Sequence, residues 1–211
     1  LEQGRVRIRP APDSGITLEG EPVGEREIRD DSAGEADVLR LGRLHLTVIR
    51  RRDRLGVRVR DPESRVRKEF QGMEYFPPDP LYRVRTRLVP YEPARAVLVP
   101  NVLGTPEPMT APGYVDLDLN GEKVRLVPVL EDPSGRELFF IFGDATNGRE
   151  TYGAGRFLYA DLAEDGTVTV DFNKAYTPPC AFSPYATCPL PPPENRLALR
   201  IEAGEKFSGH H

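Results

Sequence analysis

The sequence contains no tryptophan, only two cysteines and, apart from the two histidines at its C-terminus, a single histidine. A metal centre built on three histidines is therefore ruled out, because His45 would be its only ligand of that type. The same scarcity argues against a catalytic triad built on histidine. The segment from Ser208 to His211 is typical of the remainder of a purification tag, which leaves His45 as the native histidine.

Several short motifs of catalysis and nucleotide binding are also missing. The chain has no glycine-rich P-loop with its Gly-Lys-Ser/Thr end, no G-x-S-x-G nucleophile turn and no H-E-x-x-H metal motif. Gly153 and Gly155 form a short G-A-G, but a dinucleotide site needs a third glycine between a strand and a helix. We therefore expect neither a cofactor nor a metal ion.

Long apolar runs and excess positive charge are absent as well. No stretch of eighteen apolar residues occurs, so we expect no membrane span. The formal net charge of −4 argues against a general nucleic-acid binder. The chain as given starts at Leu1 without a visible leader, so we expect a cytoplasmic protein and leave an exported form open. The sequence indicates no particular oligomeric state.

The residues that are present describe a soluble globular protein, with 38% hydrophobic and 29% charged residues. Arginine dominates the basic residues, since 25 arginines stand against four lysines. This ratio favours bidentate pairing with carboxylates over a diffuse positive field. Genome composition is the alternative explanation.

Apolar and polar residues alternate with a period of two along most of the chain, which predicts β-strands. Pairing Val48 with Val57 in one hairpin also places Leu46 opposite Val59 and His45 opposite Arg60. One face of this hairpin is then apolar and the other polar. We interpret His45 as a surface residue rather than a base or a metal ligand.

A second hairpin is predicted around Asn120-Gly121, a dipeptide that supplies the two positive-φ positions of a type I′ turn. A two-residue loop pairs Asp116 with Arg125 on one face and Leu117 with Val124 on the other. Both the charges and the aliphatic side chains therefore favour one register.

The fold class follows from these patterns. Leu138 to Phe142 is apolar on both faces, so this strand should be covered on two sides. We count ten to thirteen short strands and predict an all-β, mainly antiparallel barrel or sandwich. We expect edge strands and loops over residues 1–34, a main domain over 35–206 and the tag remainder over 207–211.

A long crossover near the C-terminus completes the predicted fold. It joins a strand that ends near Phe172 to a predicted strand over residues 197–201, and it contains seven prolines and both cysteines. Its aromatic residues give it something to bury, so we expect it to be ordered. Cys180 and Cys188 form either a disulfide or two packed thiols, because their spacing and the lack of further soft ligands disfavour zinc.

The same region resembles a known family. The resemblance rests on D-F-N-K-A-Y-T-P-P-C-A-F (171–182), C-P-L-P-P (188–192), A-G-E-K (203–206) and G-D-A-T-N-G-R-E-T-Y-G-A-G-R (143–156). Together with shorter matches upstream it covers about residues 41–206, and it is similar to the bacterial and archaeal domain of unknown function 1684. The resemblance implies no catalytic residues, since that family's function is open.

Polar residues on both sides of the Gly-rich turn after Phe142 form the candidate ligand-binding site. They are Asp144, Thr146, Tyr152, Arg156, Asp171, Asn173 and Tyr176. If Asp165-Gly166 closes a two-residue hairpin, Arg156 shares a sheet face with Asp171 and Asn173. Such a patch could bind a small polar or anionic ligand, whereas the alternative is a buried structural ion pair with hydrogen-bonded tyrosines.

Three functions are compatible with this sequence. We expect a non-enzymatic module that binds a small ligand or serves a structural role. The first alternative is an enzyme that acts on a small polar substrate through Asp144 or Asp171, with Arg156 and Tyr152. The second alternative is a protein-interaction domain that uses an exposed strand edge or its proline stretch.

Overall fold

The computed structural model describes residues 5–32, 34–51, 54–132 and 135–207. Antiparallel strands dominate it, so the predicted all-β class is confirmed. The chain divides into two compact units, Leu1–Phe70 and Gln71–His211. The boundary expected near Gly34 lies inside the first unit, where strands before and after this glycine pair with each other. Among the described residues, no helix has the length and apolar character needed to cross a membrane.

In its described part, the first unit has seven strands and one short helix. They are β1 (Arg5–Ile8), β2 (Ile16–Leu18), β3 (Glu21–Pro22), β4 (Arg26–Arg29), β5 (Leu39–Leu41), β6 (Leu44–Arg51), β7 (Arg54–Arg60) and α1 (Arg65–Glu69). Five strands form one sheet in the order β3-β2-β5-β6-β7, and β1 pairs with β4. Ile28, Leu39 and Val48 are the buried centre of a small apolar core.

The hairpin of β6 and β7 has the predicted register. Val48 lies opposite Val57, and His45 lies opposite Arg60. The expected apolar face is only half covered, because Val48 is buried whereas Val57 and Val59 are 63% and 57% exposed. Residues 52 and 53 of the predicted polar turn lie outside the described residues.

The second unit has six strands in its described part. They are β8 (Arg83–Val99), β9 (Glu107–Leu119), β10 (Glu122–Leu126), β11 (Glu137–Phe142), β12 (Arg156–Asp161) and β13 (Thr167–Asp171). Four of them form a sheet in the order β10-β9-β8-β13, and β11 pairs with β12. One apolar core contains side chains from both sheets, so this unit is sandwich-like. Neither sheet closes into a barrel over the residues described.

Strand β11 is buried on both faces, as its sequence predicts. Phe140 and Phe142 belong to the main core between the two sheets. Phe139 and Ile141 belong to a second apolar cluster, which also contains Cys188 from the proline-rich crossover. The crossover is therefore an ordered layer that covers the outer face of the β11–β12 pair.

The hairpin of β9 and β10 confirms the predicted register in full. Asp116 lies opposite Arg125, and Leu117 lies opposite Val124. Asn120 and Gly121 have φ values of 56° and 88°, the two left-handed positions of a type I′ turn. The Arg125 guanidinium bonds both oxygens of Asp116, at 2.7 and 2.9 Å.

Replacing Gly121 by valine is expected to destabilise this turn. A Cβ atom added at Gly121 would meet no other atom within 4 Å, so the effect arises from the backbone conformation alone. A β-branched residue resists a positive φ, and we expect a loss of roughly 1–2 kcal/mol in the free energy of unfolding. Urea denaturation measures this loss, and an unchanged midpoint would contradict the assigned turn.

Three predicted boundaries in the second unit are wrong. Apolar–polar alternation predicts separate strands over 82–88 and 96–99, but these residues belong to one strand, β8, with an irregularity between Pro90 and Arg95. The prolines and glycine of residues 101–112 predict a loop, but that loop is shorter because β9 already begins at Glu107. The segment predicted as a strand over residues 197–201 does not form a regular strand. Its neighbour is the turn after β11 rather than another strand. One hydrogen bond from the Leu197 amide and one to the Leu199 carbonyl join the segment to that turn.

The turn at Asp165-Gly166 also differs from the prediction. The Ala163 amide donates to Thr167 O at 2.9 Å, so three residues rather than two lie in the loop. Of these residues only Gly166 has a positive φ, at 79°, whereas a type I′ turn requires two. One extra residue reverses which side chains of β12 and β13 share a face.

Candidate functional site

The centre of the predicted site is a buried ion pair between Arg156 and Asp144, and both side chains are fully inaccessible to solvent. Arg156 is the first residue of β12, on the face that points into the main core. Its Nη2 donates to Asp144 Oδ2 at 2.8 Å and to Ile201 O at 2.8 Å, while Nη1 donates to Ala203 O. The guanidinium therefore joins the turn after β11 to the C-terminal segment.

The other oxygen of Asp144 has three donors. Oδ1 accepts from the Thr146 amide at 2.9 Å, from the Thr146 hydroxyl at 2.6 Å and from the Ile201 amide at 3.2 Å. The Thr146 hydroxyl lies 2.8 Å from that of Thr151, and the Thr151 hydroxyl accepts from Asn147 Nδ2 at 2.8 Å. With four donors and no exposure to solvent, this carboxylate is poorly placed to bind a ligand or to transfer a proton.

One atom of the pair has no partner. Arg156 Nε makes no hydrogen bond with any described residue, although the side chain is fully buried. The Phe142 ring lies 5.2 Å from the guanidinium carbon, at a distance typical of a cation–π contact. The pair is thus held by the protein itself from nearly every side.

Asp171 and Asn173 lie elsewhere, and the prediction that Arg156 shares a sheet face with them is wrong. Asp171 faces Arg83 of β8, with 3.6 Å between Oδ2 and Nε. Asn173 bonds to the backbone of Asp79, accepting at 3.0 Å and donating at 2.9 Å. The three-residue turn explains the error, because it places Arg156 on the core-facing side of its strand.

The two candidate tyrosines lie in aromatic clusters outside the ion pair. Tyr152 packs edge-on against Phe207 with ring centroids 5.3 Å apart. Burial, together with a hydrogen bond to Cys180, raises the pKa of Tyr152 to about 12. Tyr176 stacks on Tyr159 at 6.2 Å, and burial also raises its pKa. Both tyrosines therefore stay protonated at neutral pH.

The two cysteines are neighbours with free thiols. The Cys180 amide donates to the Sγ atom of Cys188 at 3.2 Å. Burial and a hydrogen bond with the Cys180 thiol raise the pKa of Cys188 to about 12. A thiol with so high a pKa is a poor nucleophile at neutral pH, so Cys188 is not poised for covalent catalysis.

Asn195 is a buried residue that sequence reasoning missed. Its side chain accepts from the Val127 amide at 2.8 Å and donates to Val127 O at 2.9 Å and to Ile141 O at 3.0 Å. The amide thus satisfies backbone groups where the strands provide no partner. No periodicity marks such a residue, although Glu194-Asn195 is one of the short sequence matches to the family that the chain resembles.

A second polar site lies in the first unit, where a cleft of about 670 Å³ opens beside β2, β5 and β6. Arg40 and His45 line it and lie directly opposite each other on paired strands. Arg60 lies opposite His45 on the next strand, so three basic side chains occupy adjacent positions of one row. Among the described residues none of the three has an ion pair, and sequence reasoning had identified only the pairing of His45 with Arg60.

The remaining wall of this cleft is mixed. Arg29 and Asp37 form an ion pair there, in which two guanidinium nitrogens donate to Oδ1 of Asp37 at 2.9 and 3.1 Å. Glu19 and Glu35 also line the cleft, and both are exposed. Positive and negative groups therefore face one concave surface, beside the apolar side chains of Leu18 and Val38.

Comparison with known proteins finds a family that matches the second unit. The family described as "Protein of unknown function (DUF1684)" matches residues 68–206, a later start than the residue 41 expected from the resemblance. The solution NMR structure of an uncharacterized protein from Haloarcula marismortui is similar, at 33% sequence identity. It covers 69% of this chain and 81% of that chain, with a TM-score of 0.57. No curated protein compared with the chain matches it.

Proposed function

Because the chain belongs to the DUF1684 family of proteins of unknown function, we propose a function from its own geometry: it is a non-enzymatic module that binds a small anionic ligand. The binding site in this proposal is the cleft of the first unit, at Arg40 and His45. In the second unit, the ion pair between Asp144 and Arg156 is structural in this proposal.

The observation that carries the proposal is the row of Arg40, His45 and Arg60 across three paired strands. The row contains no acid, and Arg40 and Arg60 flank His45 without an ion pair among the described residues, so no pairing within this part of the fold accounts for the two charges. An anion placed over the row would neutralise it through charge-assisted hydrogen bonds, for which an arginine fork is well suited. Several other arginines of this unit already pair with an acid, as Arg43 does with Asp61.

The acids of the cleft narrow the ligand class. Glu19 and Glu35 would repel a densely charged anion but would accept a cationic group. A small carboxylate that also carries an amine fits this distribution better than a carboxylate alone. The apolar side chains between the charges suit a short hydrocarbon backbone.

The enzyme alternative has less support. Asp144 has its oxygens occupied by four donors, and Asp171 is engaged by Arg83 and by the backbone turn that it caps. A general acid or base must reach the substrate proton, and Asp144 is sealed from solvent. A ligand at the candidate residues of the second unit would have to displace this network.

Calorimetry with succinate and aspartate tests the proposal, because the two probes differ only by one amine. We expect both to bind the full chain at low ionic strength, aspartate more tightly. Arg40→Gln should weaken both by about tenfold, the factor that a loss of about 1.4 kcal/mol produces. Glu35→Gln should weaken aspartate alone, and added salt should weaken both probes.

Arg65→Gln is the matched control. Arg65 is an exposed arginine of the same unit, and it pairs with Glu69 on α1 outside the cleft. The substitution removes the same charge, so an equal loss in Arg65→Gln would assign the effect to net charge rather than to a site. Undiminished binding of both probes by Arg40→Gln would refute the proposal.

A further inference from the structure

The two cysteines of the second unit are held as neighbours by the backbone around them. Cys180 lies in the 3-10 turn Pro179–Ala181. Cys188 is followed by Pro189, which forms a bridge with Asn101, and the Val102 amide donates to Cys188 O at 3.2 Å. Both backbones are therefore fixed before any bond between the two sulfur atoms exists.

The sulfur of Cys188 also lies close to Cys180. Its Sγ accepts a hydrogen bond from the Cys180 amide at 3.2 Å. A disulfide requires the two side chains to lie this close. Strain in the disulfide arises when the backbone must move to bring the two side chains together. Here proximity and fixed backbones coincide.

We infer that Cys180 and Cys188 form a reversible intramolecular disulfide when the protein meets a small disulfide oxidant such as glutathione disulfide. The sulfur of Cys180 attacks one sulfur of the oxidant and releases the first glutathione thiol. The sulfur of Cys188 then loses its proton, attacks Cys180 in this mixed disulfide and releases the second glutathione thiol. This step is slow at neutral pH, because burial raises the pKa of Cys188. The two cysteine protons end on the two glutathiones, and the protein loses two electrons to the oxidant.

Burial determines the order of the two steps. Cys180 is partly exposed, whereas Cys188 is only 4% exposed and belongs to the apolar cluster behind β11. A bulky oxidant therefore reaches Cys180 first, and Cys188 acts as the resolving thiol.

The bond would close the segment between the cysteines into a small loop. Phe182 at its start packs edge-on against Phe207 at 5.6 Å, whereas Tyr185 at its tip is 93% exposed. Oxidation adds a covalent link between the two ends of this loop and so further limits the conformations in which Tyr185 is presented. The redox state of the two cysteines therefore controls how this exposed aromatic side chain is presented.

Equilibration of the folded full chain in glutathione buffers tests the inference. As the buffer becomes more oxidising, thiol titration after denaturation should fall from two free thiols to none. Intact mass spectrometry should show a loss of about 2 Da, as expected for two hydrogens. The oxidised form should unfold about 5 °C higher, because a closed loop restricts the unfolded chain.

Single variants test the order. Cys188→Ser should accumulate a glutathione adduct on Cys180, whereas Cys180→Ser should stay largely unmodified because its remaining thiol is buried. Faster modification of Cys180→Ser than of Cys188→Ser would overturn the order. Two free thiols in the wild-type chain after equilibration in glutathione disulfide, or bridges only between molecules on a non-reducing gel, would overturn the inference itself.

Discussion

Replacing Arg156 by methionine is expected to lower the free energy of unfolding of the second unit by about 3–5 kcal/mol. The substitution leaves the carboxylate of Asp144 buried without its counter-charge, and three carbonyl or carboxylate groups lose a donor. Methionine fills much of the space, so the loss of charge and hydrogen bonds dominates over the cavity.

Urea denaturation, followed by a signal of the second unit, measures this change. Arg136→Met is the matched control, because Arg136 also pairs with an acid, Glu164, but both side chains are well exposed. Exposed ion pairs contribute little to stability, so we expect the control to unfold at the wild-type midpoint. The contrast isolates burial as the cause.

A double variant distinguishes an ion pair from two independent residues. Asp144→Asn removes the charge that Arg156→Met leaves unpaired, so the double variant should be more stable than Arg156→Met alone. Losses that simply add would show that the two residues are not coupled. A stable Arg156→Met protein that no longer binds an anion would assign the pair to ligand binding instead.

The parts of the fold that sequence alone predicts well are those in which two local signals agree. Around Asn120-Gly121 the turn chemistry and the cross-strand pairs each select the same register. The alternation that pairs Val48 with Val57 works in the same way. In both hairpins all the relevant residues lie within about fifteen positions of one another.

The candidate site depends on a single turn, and there the local signals are insufficient. Asp165-Gly166 is compatible with a two-residue loop or with a three-residue loop that uses only Gly166 in a left-handed conformation. The difference is one residue, yet it moves Arg156 from the side of Asp171 to the core. No pattern in the sequence predicts which of the two loops forms.

The burial of polar groups is the second feature that the sequence does not predict. Arg156 and Asn195 are as buried as the phenylalanines around them because their partners are backbone carbonyls of distant segments, such as Ala203 O and Ile141 O. Hydrophobic periodicity cannot mark such residues, since their environment is set by tertiary contacts. The opposition of Arg40 and His45 likewise depends on the pairing of β5 with β6.

Gly204→Ala is expected to destabilise the second unit strongly, although it exchanges only a single hydrogen for a methyl group. Gly204 has a φ of 77°, and an added Cβ atom would lie 2.4 Å from Ala175 O and 2.7 Å from Phe172 O. Neither oxygen can move freely, because Ala175 O accepts from the Glu205 amide and Phe172 O accepts from the Ala175 amide. The fully buried ring of Phe172 would shift with its backbone.

Gly148→Ala separates this clash from the strain of the backbone. Gly148 has nearly the same φ, 75°, but its added Cβ atom would meet nothing within 4 Å. We expect a loss of about 1 kcal/mol for Gly148→Ala and of at least about 3 kcal/mol for Gly204→Ala, both measured by urea denaturation. If Gly204→Ala yields no soluble protein, its yield beside that of Gly148→Ala provides the comparison. Equal losses in the two variants would show that glycine is needed at position 204 only for its positive φ. The close approach of Gly204 to the Phe172–Ala175 turn would then not contribute to stability.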